Sequence, residues 1–353
     1  MTTLSSYRLL GRSGLRVSPL ALGAMTFGTD WNWGADETQA RRIFDAYVER
    51  GGNFIDTANR YTEGTSERFV GEFAKGRRDS LVLATKYTLP MQPGDPNSGG
   101  NHRKAMVRSL EDSLKRLGTD YVDLFYLHAW DFTTPVEEIM RAFDDLVRAG
   151  KVLYLGLSDI PAWQASRMQA IADLRGWAPL VAMQVEYNLI ERTVERDVVP
   201  MAAELGLGVI PWSPLASGVL TGKYSRADLG AGTGGSAADG SRRDVAAGNG
   251  SLTERGLAIA NVVQEVAGEL CRSPAQVALA WTLLNPAVTA PIIGARTLAQ
   301  LEDNLGALDV VLDEGQRARL QAASAIDLGF PHDFLARPMT RAIVSGGLDI
   351  RPR

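Results

Sequence analysis

Eight short apolar runs recur along the 353 residues of this chain, and a helix-like segment follows each of them. A run that is apolar throughout is typical of a parallel strand buried on both faces. Eight β-then-α units predict an α/β fold, a single-domain (β/α)8 TIM barrel over residues 1–353. Periodicity does not show closure, so an open doubly wound sheet is the alternative. The predicted strands are Val17–Leu22, Asn53–Asp56, Leu81–Lys86, Val122–Leu127, Tyr154–Ser158, Val181–Glu186, Gly208–Trp212 and Ala290–Ile293.

The segments between these runs carry helix signals. Gly118 is placed to end a helix whose apolar face is formed by Met106, Leu110, Leu114 and Leu117. The tetrapeptide Thr134-Pro135-Val136-Glu137 predicts a capping box with proline at the first helical position, and Gly150 ends the element that follows.

Two segments depart from this rhythm. Residues 226–250 are rich in small and polar residues and predict a mobile loop after the seventh strand. This loop contains Gly230-x-Gly232-x-x-Gly235, which we reject as a dinucleotide fingerprint because no strand precedes it and no helix opens from it. From about residue 328 the chain predicts an irregular tail folded over one end of the barrel.

Composition argues against several classes of function. The net charge is −4 without a long basic block, so we expect no nucleic-acid or anionic-membrane partner. Cys271 is the single cysteine, which cannot form an internal disulfide. The first residues lack an apolar run long enough for a signal peptide or a membrane span. We therefore expect a cytoplasmic protein.

Three consecutive predicted strands each end in one ionisable residue. Asp56, Lys86 and His128 occupy these ends, and Tyr61 follows Asp56 by five residues. The carboxyl ends of barrel strands converge on one face, where chemistry occurs. Each residue alone could be a solvated strand-end charge, but the shared position favours one site.

This combination suits carbonyl reduction. A phenol with a pKa of about 10 donates its proton poorly near neutrality, and a neighbouring ammonium lowers that pKa. Asp56 would hold Lys86 in place, and His128 would orient a substrate oxygen or relay a proton. Tyr61 would then protonate the developing alkoxide while hydride attacks the carbon.

At these residues the chain resembles the aldo-keto reductase superfamily. The matching stretches are Asp56–Tyr61, Ala84–Lys86 and Leu127-His128, and the likeness extends from Leu9–Leu15 to Pro291–Asn304. The resemblance implies a (β/α)8 barrel with a catalytic tetrad of Asp56, Tyr61, Lys86 and His128. It implies hydride transfer between NADP(H) and an aldehyde, a ketone or the matching alcohol.

The resemblance also implies a cofactor site. Ser158 and Asp159 would hold the nicotinamide carboxamide, although many members have Asn at the second position, and Gln184 would be a further carboxamide contact. Trp212 would stack on the nicotinamide. The other implied contacts, including a loop across the pyrophosphate, are Met25, Asp56, Ser213, Leu215, Ser217, Gly218, Lys223, Gly294, Gln300 and Asn304.

The resemblance also implies that Arg296 makes the protein prefer NADP(H) to NAD(H), because the corresponding arginine of the superfamily contacts the adenosine 2′-phosphate. The segment Gly294–Asn304 follows the eighth predicted strand and opens a helix, where backbone N–H groups bind phosphate. Thr297-x-x-Gln300 is also an ordinary capping box, and both interpretations can hold together.

Several aromatic residues follow the same strand ends and predict an apolar pocket wall for substrate. They are Trp31, Trp33, Tyr87, Trp130 and Phe132. Placement in the core or on the surface is the alternative for each.

Two other functions stay open at this point. The first is an NADP(H)-binding regulatory subunit with little turnover, as some barrels of this superfamily serve channels. The second is a metal-dependent hydrolase, but the histidines do not cluster at a strand end, and we expect no metal. The histidines are His102, His128 and His332. The sequence leaves the substrate and the oligomeric state open.

Overall fold

A computed structural model describes residues 2–229 and 243–350. Within them, eight parallel strands form a TIM barrel in the order β10-β3-β4-β5-β6-β7-β8-β9. Each of the eight predicted runs contributes to a barrel strand, although the first strand is shorter than predicted because Val17 belongs to a separate hairpin. The barrel strands are β3 (Ala21–Gly23), β4 (Phe54–Asp56), β5 (Val82–Tyr87), β6 (Val122–Leu127), β7 (Val152–Ser158), β8 (Leu180–Glu186), β9 (Gly208–Trp212) and β10 (Ile292–Gly294).

The barrel closes between β9 and the chain just before β10. Val209 forms an isolated parallel bridge with Val288. The Val209 N–H donates to Ala287 O at 3.0 Å, and the Thr289 N–H donates to Val209 O at 2.8 Å. The open-sheet alternative is therefore excluded.

Helices surround the barrel, as expected for strands that are apolar on both faces. Their bounds are α1 (Glu37–Glu49), α2 (Thr65–Ala74), α3 (Arg103–Leu117), α4 (Val136–Arg148), α5 (Ala162–Arg175), α6 (Val198–Leu205), α7 (Arg243–Gly248), α8 (Glu254–Leu270), α9 (Pro274–Leu283), α10 (Leu298–Leu305), α11 (Glu314–Ala323), α12 (His332–Ala336) and α13 (Pro338–Ser345).

One helix start differs from the prediction. Helix α3 buries its four predicted apolar residues and ends at Gly118, which has a φ of 63°. Helix α4, however, begins after Pro135 without a side-chain cap. The predicted capping box is absent because the Thr134 hydroxyl donates to Asp131 instead, at 2.7 Å.

An unpredicted antiparallel hairpin closes the amino end of the barrel. Its strands are β1 (Arg8–Leu9) and β2 (Arg16–Val17). Leu10 and Val17 are fully buried and pack with the residues that fill the barrel interior. At Gly11, with a φ of 53°, a Cβ would lie 2.3 Å from Val181 O. A cavity opens at the opposite, carboxyl end of the described barrel.

The two irregular segments contain more helix than expected. Residues 230–242, with the rejected glycine fingerprint, lie outside the described residues, but α7 falls within the predicted loop and buries Ala246. The tail from residue 328 forms α12 and α13, because Pro338 stands at a helix start and Gly346 permits the left-handed end. Within the parts of the chain described here, we find no helix with the length and apolar content required to span a membrane.

Candidate active site

The carboxyl ends of the strands surround a cavity of about 550 Å³. Asp56 ends β4, Lys86 stands one residue before the end of β5, and His128 directly follows β6. These strands are neighbours in the sheet, with Asp56 opposite Ala84 and Lys86 opposite Tyr126. The predicted convergence of the three ionisable side chains is thus present, and Asp56, Tyr61 and His128 line the cavity.

Lys86 lies beneath the cavity and contacts two other members of the predicted tetrad, Asp56 and Tyr61. Its side chain is completely buried, and Nζ donates to Asp56 Oδ1 at 2.5 Å and to Thr57 O at 2.9 Å. The third contact of Nζ is the Tyr61 hydroxyl at 3.1 Å. Two fixed acceptors therefore aim a buried ammonium at the phenol oxygen.

The pKa values of this pair reflect opposing effects. Burial raises the pKa of Tyr61 above its usual value, and the charge of Lys86 acts in the opposite direction. Burial disfavours the charge of Lys86, but Asp56 and Tyr61 outweigh that effect and raise the pKa of Lys86. The sequence argument anticipated the effect of Lys86 on Tyr61, but it did not include burial. Tyr61 is consequently a protonated phenol near neutral pH, with a permanent cation beside it.

His128 is a neutral imidazole in this site. Burial, and secondarily the charge of Lys86, lowers its pKa to about 3. Its ring lies edge-to-face with the Tyr61 ring at a centroid distance of 5.8 Å. Nδ1 is buried and lacks a hydrogen-bond partner among the described residues. The neutral imidazole of His128 can therefore form a hydrogen bond with a substrate oxygen.

The loop that presents Tyr61 has a strained backbone. Thr62 and Glu63 have φ values of 45° and 53°. The buried Thr62 hydroxyl donates to Phe27 O at 2.7 Å and accepts the Ser66 N–H at 3.0 Å. Such strain persists where the surroundings over-determine it, as at functional sites. These bonds hold the phenol over Lys86.

The residues assigned to the cofactor from sequence all line the same cavity. Gln184 contacts the tetrad directly, because its amide donates to Asp56 Oδ2 at 2.9 Å. Asp56 thus accepts from both Lys86 and Gln184, one on each oxygen. The second interaction links the predicted carboxamide site to the predicted catalytic residues.

Asp159 and Trp212 form a hydrogen-bonded pair on the cavity wall. The indole Nε1 donates to Asp159 Oδ1 at 3.0 Å. Burial by the surrounding wall raises the pKa of Asp159 to about 6, against the effect of Trp212. Asp159 has a φ of 46°, a conformation that favours Asn or Asp among non-glycine residues. This carboxyl group fixes the orientation of the indole.

The loop after β9 also follows the cavity with an unusual backbone. Ser213, Ala216 and Ser217 have φ values of 49°, 49° and 55°. At Gly218, which has a φ of 93°, a Cβ would lie 2.7 Å from the Lys223 side chain. The flexible end of Lys223 could move aside, so it is the positive φ that favours glycine at this position.

Helix α10 opens at the far side of the cavity. Thr297 caps it by accepting the Gln300 N–H at 3.2 Å, which is one half of the predicted capping box. The Gln300 side chain accepts the Arg296 N–H at 2.8 Å, and the Asn304 amide donates to Gly294 O at 3.3 Å. Capping and cavity lining thus occur together in this segment.

The predicted substrate aromatics divide into two groups. Trp31 lines the cavity. Trp33 packs against Trp31, with 5.7 Å between the two ring centroids. Tyr87 does not reach the cavity, because its ring is fully buried and stacks on Phe125 at 5.3 Å. Trp130 and Phe132 pack edge-to-face with each other at 6.4 Å, away from the cavity, and Phe132 is 79% exposed. Tyr87 points outward because side chains alternate along a strand and Lys86 points inward.

Other lining residues were not anticipated from the sequence. Arg60 directly precedes Tyr61, and Leu89 lies three residues after Lys86, so proximity along the chain to predicted site residues was the available signal. Val245 and Asn249 come from α7 and its end, in the segment predicted to be a mobile loop. Only the tertiary fold brings this segment to the cavity.

The cavity fits a dinucleotide with an anionic group. Ser217 Oγ is buried without a hydrogen-bond partner among the described residues, although the residue lines the cavity. Buried polar atoms in native proteins are nearly always paired, so this hydroxyl is available to a ligand. Ser158 Oγ is also buried at the cavity wall, next to the Asp159 carboxyl group. Lys223 and Arg296 supply positive charge after β9 and β10, across the barrel from Lys86.

Comparison with known proteins gives consistent matches. A model of the aldo/keto reductase family matches residues 19–325. Norsolorinic acid reductase of Aspergillus flavus is 38% identical over 352 residues, 97% of this chain and 87% of that protein. The uncharacterized oxidoreductase YrpG of Bacillus subtilis is 42% identical over 320 residues, 87% of this chain and 92% of that protein. Aryl-alcohol dehydrogenase [NADP(+)] of Phanerodontia chrysosporium is 38% identical over 351 residues, 94% of this chain and 89% of that protein.

Proposed function

This chain belongs to the aldo/keto reductase family and is an oxidoreductase of carbonyl compounds and alcohols, and from that premise we propose how it works. We propose that it interconverts an aldehyde or ketone and the matching alcohol with NADP(H), and that Tyr61 is the general acid and base. The observation that carries this proposal is the buried Lys86 ammonium, which Asp56 fixes within 3.1 Å of the Tyr61 hydroxyl.

Tyr61 would donate its proton to the carbonyl oxygen as negative charge develops there. Lys86 would stabilise the phenolate that remains, because a cation next to a desolvated anion interacts strongly. Neutral His128 would hold the same oxygen by a hydrogen bond and align it with the Tyr61 proton. In alcohol oxidation Tyr61 would accept the hydroxyl proton instead.

The chain's own residues would hold the cofactor along the cavity wall. Ser158, Asp159 and Gln184 would bind the carboxamide, and Trp212 would cover the ring. Lys223 and Arg296 would bind phosphate, and a guanidinium suits the two-pronged contact that a 2′-phosphate offers. When bound, NADP(H) supplies or accepts the hydride. The name of the Phanerodontia chrysosporium relative supports the choice of NADP.

The test is a Tyr61→Phe variant with aromatic and aliphatic aldehydes as substrates. Loss of the proton donor should lower kcat/KM by roughly 100- to 10,000-fold. NADPH binding, measured by quenching of tryptophan fluorescence, should stay close to that of the wild type because the ring remains. Retained turnover in this variant would refute the assigned role of Tyr61. Tight NADPH binding by the wild type without turnover of any carbonyl compound or alcohol would favour a regulatory role.

A further inference from the structure

One cation of the cavity has no place in the proposed reaction or cofactor site. Among the described lining residues, positive side chains belong to Arg60, Lys223 and Arg296. The last two belong to the phosphate-binding wall, whereas Arg60 directly precedes Tyr61 on the strained loop. Arg60 therefore places a positive charge on the substrate side of the cavity.

Glu63 holds Arg60 at the edge of the cavity. Its Oε2 forms an ion pair with the Arg60 guanidinium, and its Oε1 accepts the indole N–H of Trp31 at 3.1 Å. Trp31 in turn lies edge-to-face with Tyr61 at 6.5 Å. One carboxylate thus fixes both a guanidinium and an indole beside the reacting phenol.

The guanidinium retains unused hydrogen-bonding capacity. An arginine has five N–H donors in a planar fork. Glu63 is its one side-chain partner within residues 2–229 and 243–350, and the Arg60 side chain is 35% exposed. A single exposed ion pair would be satisfied equally well outside a cavity, so it does not account for this placement.

We propose that Arg60 is a specificity-determining residue that selects carbonyl compounds carrying an anionic oxygen group, and specifically aromatic aldehydes with a ring carboxylate. The carboxylate would accept from the donors that Glu63 leaves available, since a planar guanidinium matches a planar carboxylate. The indole of Trp31, held by the same Glu63, would form a flat wall for the aromatic ring. This inference rests on the proposed function, because it needs turnover at Tyr61.

The test compares two aldehydes of similar shape. We would measure NADPH-dependent reduction of 4-carboxybenzaldehyde and of its neutral methyl ester, methyl 4-formylbenzoate. The wild type should favour the carboxylate in kcat/KM. In Arg60→Gln this preference should fall by roughly ten-fold, mainly through KM, because a charge-assisted bond is replaced by a neutral one. Arg60→Lys should retain part of the preference, since the charge remains but the fork is lost.

Two further variants separate this role from a general effect of charge. Glu63→Gln keeps an acceptor for Trp31 but removes the competing carboxylate, so it should increase the preference for 4-carboxybenzaldehyde. Arg68→Gln removes an exposed arginine from α2 that lies outside the cavity lining, and it should leave the preference as in the wild type.

The outcomes distinguish the two proposals. Reduction of both aldehydes with no preference, or a preference that Arg60→Gln leaves intact, would overturn the assignment of Arg60 while the proposed function stands. An equal loss of preference in Arg68→Gln would also overturn it. No reduction of either aldehyde, or of other carbonyl compounds, by the wild type would refute the proposed function itself.

Discussion

At the scale of single residues, the site sets the protonation state of each ionisable group by burial and by one charged neighbour. Lys86 remains charged because Asp56 pairs with it, whereas His128 remains neutral because it is buried and, secondarily, because it faces the charge of Lys86. Two neighbouring groups in one cavity thus take opposite states. Lys86 therefore supplies a fixed positive charge, and the uncharged imidazole of His128 can form a hydrogen bond.

His128 should not titrate across the physiological range. With a pKa lowered to about 3, its imidazole stays neutral from pH 5 to pH 8. The 15N and ring-proton NMR shifts of His128 should be constant over that range. Variants at His102, His128 and His332 would assign the three signals. A titration midpoint near pH 6.5 for His128 would show that burial and the charge of Lys86 do not control the pKa of this imidazole.

Asp159 should make stability fall as the pH rises. The folded protein holds this proton up to a pKa of about 6, against about 4 in an unfolded chain. Its contribution is most favourable below pH 4 and is lost progressively between pH 4 and pH 6. Asp159→Asn keeps an acceptor for Trp212, so it should raise Tm more at pH 8 than at pH 4. An equal change in Tm at both values would exclude titration of Asp159 as the cause.

At the scale of elements, buried polar contacts fix the helices that support the strands of the candidate site. Glu67 of α2 is fully buried, and its oxygens accept from Arg116 of α3 and from Thr85 of β5, both at 2.6 Å. The two helices approach closely where Gly71 meets the Leu117 backbone. Since Thr85 precedes Lys86, this contact supports the strand that carries the ammonium.

Arg116→Met should therefore destabilise the fold strongly. It leaves the Glu67 carboxylate buried without its cation, which costs about 3–5 kcal/mol of unfolding free energy. The double variant Glu67→Gln/Arg116→Met removes the charge and keeps an acceptor for Thr85, so it should recover most of that loss. Urea denaturation of the wild type and both variants measures this. A double variant no more stable than Arg116→Met would exclude an unpaired charge as the cause.

At the scale of the whole molecule, one end of the barrel is sealed and the other holds the cavity. The hairpin of β1 and β2 covers the amino end, while loops from β3 to β10 and helix α7 contribute to the cavity. Because these loops come from opposite sides of the barrel, a ligand bound there would contact elements that are distant in sequence. Ligand binding should thus stabilise the entire fold.

NADPH should raise Tm more than NADH does. A ligand at 100 times its Kd adds about 2.7 kcal/mol, which corresponds to a rise of several degrees for a domain of this size. Arg296→Ala should reduce the shift caused by NADPH and leave the shift caused by NADH nearly unchanged, since NADH lacks the 2′-phosphate. Differential scanning fluorimetry at matched ligand concentrations measures both shifts. Equal losses for the two cofactors would argue against a role for Arg296 in selecting NADP(H).

The sequence by itself determined the barrel and the residues that meet at its carboxyl end. Each of the eight apolar runs contributes to a barrel strand. Asp56, Lys86 and His128 meet because parallel barrel strands end on one face. These features depend on periodicity and on strand ends, which are local properties. The cap of α10 at Thr297 was predictable for the same reason.

Only the tertiary structure decided which residues near the strand ends line the cavity and which do not. Tyr87 turns outward to the core, Arg60 turns to the rim, and α7 brings Val245 to the cavity from a segment without a clear helix signal. Thr134 does not cap α4 as predicted, because its hydroxyl donates to Asp131, a contact specific to that loop. Loop conformation depends on contacts between residues far apart in sequence, such as Glu63 with Trp31, and no local pattern encodes them. The burial that raises the pKa of Tyr61 is likewise a property of the assembled barrel.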